Sequence, residues 1–206
     1  MESINNPLID MIDRAHLLLN EVLNPGDFGI DLTAGRGHDT LWLAQQVTAQ
    51  HKGNVLAFDI QRQAIDSTSK RLATAGFSVR QLTENQQVAP QGVSLYHGCH
   101  SQLPQQLDQA PKAIIANFGY LPGSDHATTT TANSSCAAID QATQLLATGG
   151  RIALVLYTGH SGATQECSAI EQLCSQLDSK QWQVLRLQPM NRNNAPYLLV
   201  LEKRCE

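Results

Sequence analysis

The chain has 206 residues, of which 42% are hydrophobic and 16% are charged, and its formal net charge is −4. These are values of a globular protein, so they exclude bulk disorder, and they predict one domain over residues 1–206 with a substantial core. The net negative charge argues against capture of nucleic acid by overall charge and leaves room only for a local basic face.

The cysteines and the N-terminus indicate the compartment. The five cysteines are odd in number and contain no Cys-x-x-Cys pair, so we expect neither a disulfide framework nor a zinc site. A reducing cytoplasm is the compartment that suits them. The N-terminus lacks the basic, apolar and small-residue succession of a signal peptide, and the longest apolar strand, Ile152–Tyr157, is too short to span a bilayer.

Hydrophobic periodicity predicts helices and strands that alternate along the chain. The predicted elements, in order, are a helix over 7–23, a strand over 28–32, a helix over 38–50, a strand over 54–58, a helix over 61–75, a strand over 93–96, a short helix over 101–107, a strand over 113–116, a helix from 134 or 135 to 147, a strand over 151–157, a helix from 163 or 164 to 177, and strands over 182–187 and 197–202. Residues 76–91 are the least regular part, in which 79–82 is a candidate short strand and 83–90 has the polarity of a surface insertion. The pattern predicts a three-layer α/β fold, whose doubly wound, mostly parallel sheet of seven strands ends in a C-terminal antiparallel hairpin.

A glycine-rich turn follows the first predicted strand. Asp31 ends that strand, where it can either hold the turn or meet a cationic group of a ligand. Gly35 and Gly37 have no Cβ, so main-chain N–H groups can approach a ligand closely before a helix opens at about His38. Asp59 closes the second strand about 20 residues later, where a carboxylate accepts hydrogen bonds from ribose hydroxyls.

The turn favours S-adenosylmethionine over a dinucleotide. A dinucleotide fingerprint requires a third Gly or Ala where this chain has Thr40. The pattern acidic-x-Thr-x-Gly-x-Gly is instead similar to the motif of methyltransferases that bind S-adenosylmethionine. The ammonium and sulfonium of that cofactor favour nearby carboxylates, which Asp31 and Asp39 can supply.

A second candidate site follows the strand over 113–116. Ligands bind at the carboxyl ends of the strands in such sheets, so this strand end shares a rim with the glycine turn and Asp59. Asn117-Phe-Gly-Tyr120 is similar to the Asn-Pro-Pro-Tyr motif of methyltransferases that act on planar amines. The amide oxygen of Asn117 can accept a hydrogen bond from an amine and direct its lone pair, and Tyr120 can stack on a base. The alternative is that Asn117 only caps a turn.

The histidines and Cys99 have plainer interpretations. His16 lies on the apolar face of the first predicted helix, where a buried, hydrogen-bonded core histidine is favoured over a ligand. His97 and His100 have no further Cys or His at a metal-ligand spacing, so we expect no metal. We expect His100 and the main chain of Cys99 to line an adenine pocket. Cys99 has no adjacent basic partner that would make it a nucleophile.

Five motifs stand in order along the chain. They are Asp-x-Thr-Ala-Gly-x-Gly-His-Asp-Thr at 31–40, Phe-Asp-Ile-Gln at 58–61, Asn-Phe-Gly-Tyr-Leu-Pro-Gly at 117–123, Tyr-Thr-Gly-His-Ser-Gly at 157–162 and Asn-x-x-Asn-Ala-Pro at 191–196. Together they resemble the YtqB-like family of class I methyltransferases, also described as rRNA methylases. The resemblance spans roughly the whole chain and implies a Rossmann-like fold.

The family includes enzymes that methylate 5-(aminomethyl)-2-thiouridine in tRNA. The resemblance therefore implies methyl transfer from S-adenosylmethionine to the aminomethyl group of a wobble uridine, giving 5-methylaminomethyl-2-thiouridine. It implies a transfer site at Asn117 and Tyr120. The cofactor contacts that it implies are Arg36, Asp39, Asp59, Gln61, Cys99 and His100. Two of these depart from the family pattern, since Arg36 stands where Asn is usual and Cys99 where Ser is usual.

Three other interpretations stay open. The chain could methylate rRNA or a small-molecule amine, it could be a catalytically silent fold that binds nucleotide or RNA, or it could be an NAD-dependent enzyme, which Thr40 disfavours. A tRNA substrate also requires basic residues near the rim. The candidates for such a cluster are Arg36, Arg62, Lys112, Arg186, Arg192, Lys203 and Arg204.

Overall fold

Helices and strands alternate in the computed structural model, which describes residues 10–48, 52–83, 87–119, 130–159 and 162–205. The elements are α1 (Met11–Asn20), β1 (Phe28–Asp31), α2 (His38–Val47), β2 (Asn54–Asp59), α3 (Arg62–Thr74), β3 (Val79–Leu82), β4 (Gly92–His97), β5 (Ala113–Phe118), α4 (Ala132–Leu145), β6 (Arg151–Leu156), α5 (Ala163–Ser175), β7 (Trp182–Leu187) and β8 (Tyr197–Lys203).

The strands form one sheet in the order β3-β4-β2-β1-β5-β6-β8-β7. Strands β1 to β6 pair in parallel, whereas β8 is antiparallel to both β6 and β7. The chain runs from β1 to one side of the sheet and returns to place β5 on the other side of β1. The carboxyl ends of β1 and β5 therefore form the switch point at which ligands bind in doubly wound sheets. The predicted fold class, including the C-terminal antiparallel hairpin, is confirmed.

Alternating residues of the central strands build the two interior layers. Ile114 and Ala116 of β5 point into a hydrophobic cluster that includes side chains of α4 and α5. Ala113 and Ile115 point into a second cluster on the opposite face, with side chains of α1, α2 and α3. Because both faces are covered, these strands are apolar throughout, as buried parallel strands are.

Two details of the prediction are wrong. The sheet has eight strands, because Val79–Leu82 pairs in parallel with β4 at the sheet edge. That strand is hard to recognise because Arg80 and Gln81 are exposed and only Leu82 is buried. No helix forms over the described residues 101–107. The main-chain N–H of Leu103 instead donates to Oε1 of Gln141, and Pro104 has no N–H to offer a helix.

Side-chain caps explain where two helices begin. Asp10 is the N-cap of α1, and its Oδ1 accepts hydrogen bonds from the main-chain N–H groups of Ile12 and Asp13. Residues 7–9 of the predicted first helix lie outside the described residues. Helix α4 begins at Ala132, earlier than predicted, because Thr131 and Ser134 form a capping box.

Gly53, in the turn before β2, is packed closely against main-chain atoms. Gly53 has φ +82°, and a Cβ there would clash with the carbonyl oxygen of Val47 and lie 2.8 Å from that of Asp27. Gly76 has φ +84°, but nothing lies within 4 Å of its Cβ position. We expect Gly76→Ala to lower the free energy of unfolding by about 1–2 kcal/mol, the cost of a left-handed Ala, and Gly53→Ala to lower it further. Urea denaturation of both variants measures the difference, and equal losses would contradict the clash.

Candidate active site

A cavity of about 660 Å³ lies at the carboxyl ends of the central parallel strands. Eight of the residues predicted as site residues line it: Gly35, Arg36, Asp39, Asp59, Gln61, Cys99, His100 and Asn117. Asp31 and Gly37 do not line it, although both lie in the adjoining turn. Tyr120, the remaining predicted site residue, lies outside the described residues. The volume is within the range of small-molecule and cofactor sites.

The glycine turn is fixed by contacts with β2 and α3. The N–H of Gly35 donates to Oδ2 of Asp59 at 2.8 Å, and the carbonyl of Gly35 accepts from Oγ1 of Thr68 at 3.1 Å. Gly37 has φ +78°, and a Cβ there would lie 2.9 Å from the main chain of Thr68. Gly37 is therefore required for close packing of α3 against the turn rather than for a surface of the cavity.

Asp59 connects the turn to the end of β2. Its Oδ1 accepts the main-chain N–H of Gln61 at 2.8 Å, while Oδ2 accepts that of Gly35. Burial raises the pKa of Asp59, and these two hydrogen bonds act in the opposite direction. Each carboxylate oxygen keeps a further lone pair that can accept from a ligand. Ile60 beside it is 60% exposed and lines the cavity, an apolar contact that the sequence analysis missed.

Asp31 lies beneath the turn and is fully buried. Its carboxylate accepts the N–H of Thr33 at 3.0 Å and the hydroxyl of Thr40 at 2.6 Å. Burial and the nearby charge of Asp39 raise the pKa of Asp31 from 3.8 to about 7, and the two hydrogen bonds oppose this shift. Of the two roles considered for Asp31, the contacts support the one that holds the turn.

Three side chains from three elements meet on the cavity wall. Nε2 of His16 lies 2.7 Å from Oδ1 of Asp39, and Nδ2 of Asn117 donates to Oδ2 of Asp39 at 2.5 Å. The ring of His16 stacks on Trp42 at a centroid distance of 4.1 Å. The prediction for His16 is right about hydrogen bonding but wrong about full burial, because the side chain is only partly buried and lines the cavity together with Ile12 and Asp13 of α1. Only the tertiary position of α1 reveals this.

Two buried polar atoms in the cavity have no partner among the described residues. They are Oδ1 of Asn117 and Nε2 of His100. Burial lowers the pKa of His100, so the ring is neutral near pH 7, and its edge contacts Phe118 at a centroid distance of 5.8 Å. Buried polar groups are normally paired, so both atoms point to a ligand with complementary hydrogen-bonding groups.

Tyr157, Thr130 and Ser134 complete the wall near Asn117. Burial, and then the charges of Asp39 and Asp10, raise the pKa of Tyr157 to about 12, so its hydroxyl stays protonated near pH 7. The hydroxyl of Thr130 accepts the N–H of Gly119 at 3.0 Å and fixes the chain just beyond Asn117. The sequence motif at 157–162 points to Tyr157 as a site residue, whereas no sequence motif points to Thr130 or Ser134.

Charge is distributed unevenly around the cavity. Four carboxylates line it, from Asp10, Asp13, Asp39 and Asp59, against one guanidinium, that of Arg36. Such a lining favours ligands with cationic groups. Among the described residues, no group of three or more His, Cys, Asp or Glu side chains is arranged to hold a metal ion. Over the same ranges, no helix has the length and apolar character that crossing a membrane requires.

The basic residues proposed for RNA divide between the two ends of the sheet. Arg36 lines the cavity, Arg62 begins α3 just after Gln61, and the register of β7 and β8 puts Arg186 and the Arg192 loop at the carboxyl end of β6. The opposite end of the sheet holds Lys112, Lys203 and Arg204. Four of the seven candidates are therefore on the rim side. Of these, Arg62 pairs with Asp66, and Arg186 pairs with Glu171.

Residues 55–203 match the family described as "Putative rRNA methylase". The chain belongs to this family. One relative of the chain is the protein named "tRNA (mnm(5)s(2)U34)-methyltransferase, chloroplastic" of Arabidopsis thaliana. It is 33% identical over 195 residues, which cover 92% of this chain and 68% of the relative.

Solved structures give the same family and fold. The "putative rRNA-methylase" of Clostridium thermocellum has a TM-score of 0.83 and 30% identity, and the match covers 98% of this chain and 99% of that one. A "putative methyltransferase" of Streptococcus mutans, solved in complex with SAH, has a TM-score of 0.78 and 28% identity, with the same coverage. These matches confirm both the predicted family and the predicted Rossmann-like fold.

The buried carboxyl of Asp31 predicts a pH dependence of stability. Its pKa is about 7 in the folded protein against an ordinary value of 3.8, so between these values the folded state binds more protons than the unfolded state. The free energy of unfolding should therefore fall as pH rises through this window, by at most about 1.4 kcal/mol per pH unit. Asp31→Asn, which mimics the protonated acid, should flatten this slope in urea denaturation. Asp108→Asn, at an exposed carboxylate, is the control, and an unchanged slope in Asp31→Asn would contradict the assignment.

Proposed function

We propose that the protein is an S-adenosylmethionine-dependent N-methyltransferase that methylates the 5-aminomethyl group of the wobble 2-thiouridine in tRNA, giving 5-methylaminomethyl-2-thiouridine. The observation that carries the proposal is the amide oxygen of Asn117, which has no hydrogen-bond partner in the described ranges and lies in a carboxylate-lined cavity. A neutral acceptor amine offers an N–H group to this oxygen and keeps its lone pair. The ammonium and sulfonium of S-adenosylmethionine are the cationic groups that suit the carboxylates. The similarity to the Arabidopsis tRNA methyltransferase supports the choice of substrate.

The residues present fit S-adenosylmethionine. Asp59 has free lone pairs for ribose hydroxyls, and Ile60 offers an apolar surface for a base. Nε2 of neutral His100 has no partner within the described part of the chain. We expect Gly35, Arg36, Gln61 and Cys99 to complete the cofactor contacts, with Asp31 and Gly37 acting through the turn. The SAH complex of the Streptococcus mutans relative supports this use of the cavity. When bound, S-adenosylmethionine supplies a methyl group that an amine lone pair can accept.

Asn117 is the residue that we assign to the acceptor amine. An amide oxygen can accept an N–H hydrogen bond and so direct the remaining lone pair of the nitrogen, which is mainly a positioning effect. The pKa of Tyr157 is about 12, so its hydroxyl keeps its proton near pH 7 and is not available as a base for the acceptor amine. The proposal also includes two contacts with the tRNA. Tyr120 stacks on the wobble base, and the RNA backbone is bound by basic residues on the rim side: Arg36, Arg62, Arg186 and Arg192.

Mass spectrometry of tRNA nucleosides tests the substrate directly. In cells that lack this gene, 5-aminomethyl-2-thiouridine should accumulate and 5-methylaminomethyl-2-thiouridine should disappear. The purified protein with S-adenosylmethionine should then restore the methylated nucleoside in tRNA from those cells. Unchanged tRNA accompanied by a lost methyl group in rRNA would replace tRNA with rRNA as the substrate.

Substitutions at Asp59 and Asn117 should affect different steps, cofactor binding in the first case and methyl transfer in the second. Asp59→Ala removes a hydrogen-bond acceptor and should weaken SAH binding by about 1–3 kcal/mol in calorimetry. Asn117→Ala should leave that affinity nearly unchanged and lower the single-turnover rate roughly 10²-fold. Cys99→Ser is the control and should alter neither value, because the contact expected at Cys99 is made by its main chain and Ser is usual in the family at this position. A wild-type rate in Asn117→Ala would mean that Asn117 is only a turn cap.

A further inference from the structure

His16, Asp39 and Asn117 form a continuous hydrogen-bonded row across the cavity wall, from α1 through α2 to the end of β5. Both carboxylate oxygens of Asp39 are engaged, Oδ1 by Nε2 of His16 and Oδ2 by Nδ2 of Asn117. Asp39 is only 6% exposed, and His16 is held against Trp42 by parallel stacking. The row is thus built from groups that have little freedom to move.

The chemistry of the row fixes the orientation of the Asn117 amide. A carboxylate can only accept hydrogen bonds, so the Asn117 group that faces Asp39 must be its NH₂. Oδ1 is then the atom that remains, and it is buried in the cavity without a partner among the described residues. Without the carboxylate, the amide could turn over and present N–H groups, which would repel the N–H of an amine.

His16 completes the arrangement by fixing Asp39. Because Asp39 accepts, Nε2 of His16 is the nitrogen that carries the proton in this contact. The first turn of α2 also favours the Asp39 carboxylate, since helix N-termini stabilise negative charge. Asp39 therefore has one oriented donor on each side, and its position depends on His16 as well as on its own helix.

We propose that Asp39 and His16 are positioning residues that hold the amide oxygen of Asn117 toward the acceptor amine. This role differs from the cofactor contact that the family resemblance implies for Asp39. The identity of the acceptor as an amine depends on the function proposed above, whereas the orientation of Asn117 does not. The row would select acceptors that carry an N–H group over acceptors that lack one.

A double-mutant cycle tests whether Asp39 acts through Asn117. Asp39→Ala should slow single-turnover methylation of tRNA carrying 5-aminomethyl-2-thiouridine about tenfold or more, with SAH affinity within about twofold of wild type. In the Asn117→Ala background, Asp39→Ala should cause no further loss. Weakened SAH binding, or losses that multiply in the double variant, would overturn the proposal.

His16 offers a matched pair of substitutions that separates hydrogen bonding from stacking. His16→Phe keeps a ring against Trp42 but has no N–H, whereas His16→Gln supplies an N–H without the ring. If His16 acts by orienting Asp39, His16→Gln should react faster than His16→Phe. The reverse order would assign His16 to packing and overturn its part of the proposal. Both variants also serve if Asp39→Ala fails to fold.

Nuclear magnetic resonance of the Asn117 side-chain amide needs no substrate. In the wild type, the Nδ2 proton that faces Asp39 should be shifted strongly downfield, and the shift should be lost in Asp39→Ala and reduced in His16→Phe. Unchanged amide signals in Asp39→Ala would overturn the proposed orientation. A wild type that shows these signals but does not methylate the tRNA would instead overturn the proposed function and leave the positioning role intact.

Discussion

The hydrogen bond from the Gly35 N–H to the carboxylate of Asp59 joins the turn after β1 to the end of β2. The second oxygen of Asp59 fixes the N–H of Gln61, so one side chain sets both the turn and the start of α3. Thr68 on α3 then packs against Gly37, which sets where α2 begins and hence where Asp39 stands. The positions of both the expected cofactor contacts and Asp39, the partner of Asn117, therefore follow from one partly buried carboxylate.

Much of the fold is predictable because buried parallel strands are apolar on both faces and because glycine turns interrupt them. This pattern makes four strands recognisable from the sequence: β1, β2, β5 and β6. Strand β3 does not, since it lies at the sheet edge with two polar, exposed residues, and a sequence alone cannot tell such a strand from a loop. The segment 101–107 has helical spacing, but its hydrogen bonds go to Gln141, a residue of a distant helix.

The site is predictable to the extent that it lies on strand ends. Asp59 is the last residue of β2, Asn117 lies at the end of β5 and His100 lies three residues after β4, so the topology brings them together. His16 belongs to a helix whose apolar periodicity suggested a core role. Its contact with Asp39 is visible only in the folded structure, in which residues of α1 line the cavity. Motif similarity also could not reveal that both oxygens of Asp39 are already engaged, because that depends on two side chains far away in sequence.

The position of β8 between β6 and β7 has a consequence for synthesis of the chain. Strand β7 leaves the ribosome before β8, and β8 is the one described strand with which it pairs, so β7 has no neighbour in this sheet until β8 emerges. Pairing at this edge is therefore delayed: Trp182, at the start of β7, cannot pair until its partner Lys203, at the end of β8, has been synthesised. The strands whose carboxyl ends form the cavity, β1, β2, β4, β5 and β6, all precede this pair, so the ligand-binding end of the sheet can form on a nascent chain whose far edge is still open.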